Sequence, residues 1–594
     1  MTKRLLLLHP IILVILLSLH VHVPAQSPSA PADFAGFDTF VEQAMKDWKV
    51  PGLALAVVKD GQIVYAKGYG YRDVKNGLKV TPDTLFAIGS CSKAFTAAAI
   101  GILVDESKLE WDKPVRTYLP DFTLWDEYAS AHLTVRDLIT HQSGLPRHDL
   151  MWYGSSLSRQ ELFERLRYLE PSKPLHAKFQ YNNLMFMTAG VLIGKVSGGT
   201  WEEFVQRRLF DPLGMKSTNL SVRDLPKAAD ASLPYNDTNG EIKMIPYRNI
   251  DAIGPAGSIN SSVNEMSHWL VAQLDKGKYK GKQLISEASL RENHTPQIVS
   301  GGDLRYNESF YSSYAMGWGV TAYRGHPVLA HSGGIDGFIS QVRLLPKDKI
   351  GLVVLTNSGT NVSAIVANNI IDRMLGLNEV PWAQRAKDDE AKAKEAQAKA
   401  KSAADANRKN GTHPSHELKD FTGQFEHPAY GAMTIMQEGE GLKSERNGVT
   451  ASLKHFHYDV FQLAHPGSPY DGMKIMFQMN KAGDIDRIAV PLEPSVKDII
   501  FTRRAEPMAK SALEKLTGDY DMAGNVIKIW LRGENTLIAS VPSQDDVELR
   551  PVKNMLFNVK GLEGYSLEFK LDAAGKVTEA LLVQPGGSAV LKRK

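Results

Sequence analysis

Cysteine is almost absent. Cys91 is the single one in 594 residues, so no intrachain disulfide can form and no cysteine-built metal cluster is available. An excess of one charge is missing as well: 69 lysines and arginines face 66 aspartates and glutamates, spread along the chain, and no basic surface for nucleic acid is announced. Past residue 25 no run is long and apolar enough to cross a bilayer. Two catalytic signatures do not occur. Without Gly-x-Ser-x-Gly there is no nucleophile elbow, and without His-Glu-x-x-His there is no zinc-protease helix. What is there is ordinary globular material, 43% apolar and 23% charged, with length for about four domains at roughly 150 residues apiece.

The chain starts with Lys3 and Arg4, then apolar runs over 5–8 and 11–19, then Val23, Pro24 and Ala25 before Gln26. A basic start, a short apolar stretch and a small residue at the cut describe a secretory signal over residues 1–25. His9, Pro10 and His20 interrupt the run below the roughly 20 residues a membrane span needs. No lipidation cysteine follows. The expected location is therefore periplasmic or secreted, with no stable membrane insertion after the signal is cleaved.

Residues 32–380 mix strand and helix patterns. Apolar runs at 53–58 and 63–71 flank Asp60-Gly61, a hairpin signal. Helical periodicity marks 92–104, 183–196 and 201–209, and 338–345 and 350–357 read as two more strands. Strands at both ends with helices between predict an α+β domain whose sheet is completed by distant parts of the chain. Residues 381–414 read as a charged, alanine-rich linker: 386–406 is nearly all Ala, Lys, Asp, Glu and Gln, suiting a solvated helix or spacer. Beyond it, 415–504 and 510–594 resemble each other. Leu418, Phe421, Thr422, Gly423 and Phe425 match Leu513, Leu516, Thr517, Gly518 and Tyr520, and Phe477, Asn480, Ala482 and Gly483 match Phe569, Asp572, Ala574 and Gly575. This is a tandem duplication of two small all-β, lipocalin-like barrels.

Ser90, Cys91, Ser92 and Lys93 open a helical run, and positions three apart share a helix face, so the Ser90 hydroxyl and the Lys93 amine can meet. Burial and the positive helix end disfavour a charge on Lys93, and a neutral amine can take the serine proton. On those residues alone, an N-cap serine beside a surface lysine is the more ordinary reading, because the spacing is common by chance. With Gly89 before and Phe95 and Thr96 after, the string resembles the nucleophile helix of the penicillin-binding protein and class C β-lactamase superfamily. Its Tyr-x-Asn element is matched by Tyr181, Asn182 and Asn183 ahead of a helix, with Tyr247, Arg248 and Asn249 as a decoy. The usual Lys-Thr-Gly is absent; His331, Ser332, Gly333 and Gly334 resemble the His-x-Gly variant, and His465, Pro466 and Gly467 match more loosely inside the repeats. Leu138, Thr140, His141 and Ser143 to Pro146 support the match, as do Pro255, Ala256, Gly257 and Ser258.

The resemblance implies a β-lactamase/transpeptidase-like antiparallel sheet with a helical subdomain, working with no cofactor and no metal. Ser90 would attack a carbonyl, with Lys93 and Tyr181 sharing general-base and general-acid work. The backbone N–H groups of Ser90 and Gly334, beside Gly333, would hold the oxyanion, and Asn183 would meet the substrate's acyl-side amide. His331 would polarise Tyr181 or bind the leaving portion. His141 reads as a structural loop histidine and Cys91 as buried filler. The implied substrates are small molecules or peptides: D-amino-acid peptides or β-lactam-like amides, with small acyl esters or a non-turnover penicillin-sensing role as alternatives. A histidine in place of the lysine is mostly neutral at pH 7 and cannot anchor a carboxylate, which argues against strong penicillinase activity. The barrels either border the active-site mouth and select compact substrates, or serve stability and surface binding. The sequence sets no oligomeric state.

Overall fold

The Asp60-Gly61 signal closes a hairpin between β1 (Gly52–Lys59) and β2 (Gln62–Asp73), with φ of 50° and 77° at the two turn residues, as a tight two-residue turn requires. The computed structural model describes residues 34–594 apart from 239, 303, 506–507, 554 and 563, so the expected signal segment lies outside the described residues. With β3 (Leu78–Lys79), the hairpin joins a late run of strands: β4 (Ile298–Gly302), β5 (Tyr311–Tyr314), β6 (Gly319–Tyr323), β7 (His326–Ile335), β8 (Phe338–Leu345) and β9 (Ile350–Thr356). The order is β4-β5-β6-β7-β8-β9-β1-β2-β3, antiparallel throughout. Leu53 pairs with Thr356, so the two ends of the segment close one sheet around the helices between them.

Side chains alternate across that sheet. Ala54, Ala56, Phe338, Val342 and Leu344 face the helical region, while Leu53, Leu55, Val57, Leu345 and Leu352 face α1 (Phe37–Asp47) and α4 (Val362–Met374). The helical region holds α2 (Lys93–Asp105) and α3 (Asn183–Ser197). Residues 93–103 of α2 are buried all round, which fits a helix running through the middle of a large core. The 201–209 periodicity is helical only over Trp201–Val205, after which Gln206–Phe210 widens into a π turn.

The expected linker needs correction at its start. It folds as one helix, α5 (Trp382–Ala406), whose first turns dock on the α+β unit. Trp382 is buried and its Nε1 donates to Asp372 Oδ2 at 3.0 Å, Arg385 pairs with Glu308 at 2.9 Å, and Lys387 pairs with Asp47 at 2.8 Å. Only from about residue 391 is the helix exposed all round, with the Lys399–Glu395 pair along its side.

Each repeat is a closed eight-stranded barrel, one running from Gly423–His427 to Ile499–Arg503 and the other from Gly518–Met522 to Gly587–Arg593. The matched residues have the same work in both. Asn480 Oδ1 accepts from the backbone of Ala482 and Asp484, and Asp572 Oδ1 accepts from Ala574 and Lys576, the side-chain-closed turn that Asn and Asp favour. Gly423 and Gly518 have φ of 137° and 147°, and a Cβ there would meet the guanidinium of Arg503 or Arg593 at 2.6 or 3.1 Å. These arginines are a latch that the sequence comparison missed. Arg503 donates to the carbonyls of Asp420, Thr422 and Ile485, and Arg593 donates to those of Lys515, Thr517 and Val577.

Candidate active site

A tight turn, Gly89–Ser92, leads into α2 and carries Ser90, which is half-buried. Strand β7 presses directly on that turn. A Cβ on Gly333 would stand 1.9 Å from Ile88 O, and one on Gly89 would stand 2.7 Å from Gly334 N, so only glycine lets the two backbones approach. The approach brings the Gly334 N–H beside the Ser90 turn, the arrangement an oxyanion needs.

Lys93, the first residue of α2, is fully buried. Its Nζ lies 2.7 Å from Asn183 Oδ1, 2.8 Å from Ala256 O and 3.1 Å from Ser90 Oγ. Burial pushes this amine well below the usual lysine range, partly offset by Asp149. A neutral amine has two N–H donors and one lone pair. Asn183 Oδ1 and Ala256 O can only accept, so they take both N–H groups and leave the lone pair for the Ser90 hydroxyl.

Tyr181 precedes α3, whose N-cap is Asn182: its Oδ1 accepts from Met185 N at 2.9 Å and its Nδ2 donates to Pro146 O at 2.5 Å. The Tyr181 phenol faces the Ser90 hydroxyl, which lowers its pKa by less than burial raises it. Burial raises this phenol above its ordinary value, so it stays protonated at neutral pH and can hand a proton onward. The decoy Tyr247 instead donates to Ser232 O at 2.9 Å, and the loosely matching His465 sits on the first barrel with its Nδ1 at Thr450 O.

One expected role is corrected. His331 is buried near Tyr181, with ring centroids 6.3 Å apart, but its nitrogens are engaged elsewhere. Nδ1 donates to Ser332 O at 2.6 Å, which makes Nε2 an acceptor, and Nε2 takes the Tyr314 hydroxyl at 3.0 Å. Burial, with Lys93 nearby, holds His331 down at about 3, so it is neutral. Its nitrogens make no direct hydrogen bond to Tyr181, so of its two expected roles it is the polarising contact with Tyr181 that the structure corrects. Tyr314 gave no signal in the sequence. His141 is buried with its Nδ1 accepting from Asn182 N at 3.1 Å and its ring 4.3 Å from that of Tyr181, so it shores up the Tyr-x-Asn element. The Cys91 thiol is buried against Ser340 Oγ at 3.2 Å and pushed up to about 12, the state of an inert thiol.

The β-lactamase family profile matches residues 37–373. The chain belongs to the β-lactamase family. A second profile, a domain of unknown function (DUF3471), matches residues 407–503, which contain the first barrel. Among curated proteins, the chain is 31% identical over 431 residues to the unguisins hydrolase ungD' of Aspergillus campestris, covering 68% of this chain and 78% of that one. It is 28% identical over 326 residues to protein flp of Staphylococcus aureus, covering 54% and 62%. Among solved structures, the octameric penicillin-binding protein homologue from Pyrococcus abyssi shares the fold, at 24% identity and a TM-score of 0.53, over 79% of this chain and all of that one. This is a serine hydrolase of the β-lactamase family, followed by two barrels.

The family motifs leave out the loop at the mouth of the site. Arg147 is exposed, lies over the Tyr181 ring at 4.9 Å, and its Nε donates to Asp149 Oδ2 at 2.6 Å. Tyr153 donates to Asp336, which also pairs with Arg248 at 2.9 Å. The first barrel closes on the same loop, with Asn447 Nδ2 donating to Tyr153 O at 3.1 Å.

Proposed function

We propose that Ser90 is the nucleophile of an exported hydrolase that cleaves amide or ester bonds of small acyl substrates through an acyl-enzyme. The observation that carries this is the Lys93 amine, buried and flanked by two acceptors, with its third direction toward Ser90 Oγ at 3.1 Å. Ser90 Oγ attacks the substrate carbonyl as its proton passes to Lys93 Nζ. The N–H groups of Ser90 and Gly334 hold the resulting oxyanion. Tyr181 gives a proton to the leaving nitrogen or oxygen and regains one from Lys93, which restores both groups. Water then attacks the ester on Ser90 by the same route in reverse and releases the acid.

D-amino-acid peptides and amides are the favoured substrates. Relatives named as unguisins hydrolases support hydrolytic chemistry. The neutral His331, where a permanent cation would hold a β-lactam carboxylate, weighs against efficient β-lactam turnover. Export rests on the basic and apolar start of the chain, and N-terminal sequencing of protein recovered outside the cytoplasm checks it. A panel of D-amino-acid amides, short acyl esters and nitrocefin, run beside Ser90→Ala, tests the activity. Amide or ester turnover that vanishes in the variant is expected. Turnover that survives Ser90→Ala, or nitrocefin as the preferred substrate, contradicts the reading.

A further inference from the structure

Asp149 stands between the reacting groups and the first barrel. Its Oδ1 accepts from Asn183 Nδ2 and Trp152 Nε1, both at 3.0 Å, and its Oδ2 accepts from Arg147 Nε at 2.6 Å. A carboxylate only accepts, whereas an amide can present either end. Facing Asp149, Asn183 turns its NH2 outward and its Oδ1 toward Lys93. Reversed, its NH2 would meet Lys93 Nζ and occupy the lone pair that the Ser90 proton needs.

The residues on both sides of Asp149 are gripped by the first barrel. His148 is held at φ 47°, a conformation uncommon for a residue with a side chain. Its backbone N donates to Glu493 Oε2 at 2.8 Å, its Nε2 donates to Glu170 O at 3.0 Å, and its Nδ1 accepts from the Tyr430 hydroxyl at 2.7 Å. On the other side, Arg446 Nη2 donates to Leu150 O at 2.9 Å. Glu493, Tyr430 and Arg446 are all buried.

We propose that Asp149 is a positioning residue that locks the Asn183 amide for Lys93, and that the first barrel, through Glu493, Tyr430 and Arg446, holds Asp149 in register with the serine. This rests on the reading of Lys93 as the base for Ser90. The charged and titratable groups facing Lys93 are Asp149, Arg147, Cys91 and Tyr181, with His141 and His331 beside it; those around His148 are Asp149, Glu170, Glu493, Tyr430 and His427.

The test measures the acylation rate of the full chain against pH with a chromogenic acyl ester. Asp149→Asn is expected to lower the plateau on the order of ten- to hundredfold with KM little changed, the scale of loss from a misplaced reacting group. It also moves the acidic limb to lower pH, because the lost carboxylate had favoured the protonated amine. Glu493→Ala lowers the plateau without moving the limb, Glu493→Gln restores part of the rate because its amide oxygen still accepts from His148 N while the acceptor for Ser495 N is lost, and Glu493→Ala with Asp149→Asn loses no more than Asp149→Asn alone. Tyr430→Phe gives a milder version of the Glu493→Ala result in a barrel that keeps its shape. An unshifted acidic limb in Asp149→Asn, additive losses in the double variant, or full rates in both barrel variants overturns the proposal. Equal acylation of wild type and Ser90→Ala sinks the serine reading beneath it as well.

Discussion

The two barrels share one construction and differ in what they touch. Both keep the glycine, the side-chain-closed turn and the arginine latch, yet the first barrel's core is continuous with that of the hydrolytic unit while the second barrel's core stands apart. Two of the three docking side chains lie in loops that differ between the barrels, and the third, Arg446, ends the strand Gly441–Arg446. Tyr430 belongs to a connection, 428–430, for which the second barrel has only Ala523 and Gly524. Glu493 lies in 491–498, where the second barrel turns on Pro585 and Gly586. The longer loops of the first barrel can dock without disturbing its fold, since insertions between strands leave the ladder and its core untouched.

Paired substitutions sharpen that comparison. Phe477 and Phe569 occupy matching buried positions, and alanine at either costs about 3–5 kcal/mol of barrel stability. Calorimetry with an activity assay separates them: Phe477→Ala is expected to lower kcat along with the melting temperature, and Phe569→Ala to leave kcat unchanged. Equal losses of kcat would break the contrast. Arg503→Met and Arg593→Met remove charge-assisted bonds to three carbonyls each, worth about 1.5–3 kcal/mol per bond to a charged group before relaxation. Denaturant unfolding is expected to show comparable destabilisation of the two barrels, with loss of activity only in the first case.

Acid separates the barrels more gently. Burial holds His427 at about 4, against 6.5 for a free histidine, and its Nδ1 accepts from the backbone of Ala429 and Tyr430. Between those values the unfolded chain binds the extra proton, so stability falls as pH drops from 6.5 toward 4. Residues 510–594 contain no histidine. Hydrogen exchange at pH 7 and pH 5 is expected to show the first barrel opening more readily at the lower pH while the second is spared this loss. The smallest effect is shared: Asn480→Ala and Asp572→Ala each lose two turn hydrogen bonds, at about 1 kcal/mol net. Urea midpoints that differ widely between these two would show that the turns are not equivalent.

The groups legible in the sequence were those tied to a local pattern. Ser90 and Lys93 share one helical turn, Tyr181 and Asn183 flank a helix start, and Gly333 and Gly334 sit in the short string after His331, so each set could be matched to a motif of the family the chain resembles. The Pro255 to Ser258 match also has a physical basis, because Ala256 O is one of the acceptors that orients Lys93. Arg147 comes from a loop, Asp149 opens a one-turn helix and Tyr314 ends a four-residue strand next to the sheet edge, all too short for periodicity, and their importance arises only when distant segments meet. The latch arginines were missed because their partners are backbone carbonyls, which no residue pattern records. The charged segment was read by composition as solvated, and composition could not show that Trp382 and Arg385 anchor its first turns.

The most direct test of the account is rapid-quench mass spectrometry of the full-length hydrolase with a D-amino-acid ester. The account predicts a single acyl adduct that maps to the peptide bearing Ser90, rises before steady state and decays as product forms, and is absent from Ser90→Ala. Product formation with no adduct on Ser90, or the same adduct on Ser90→Ala, would contradict it.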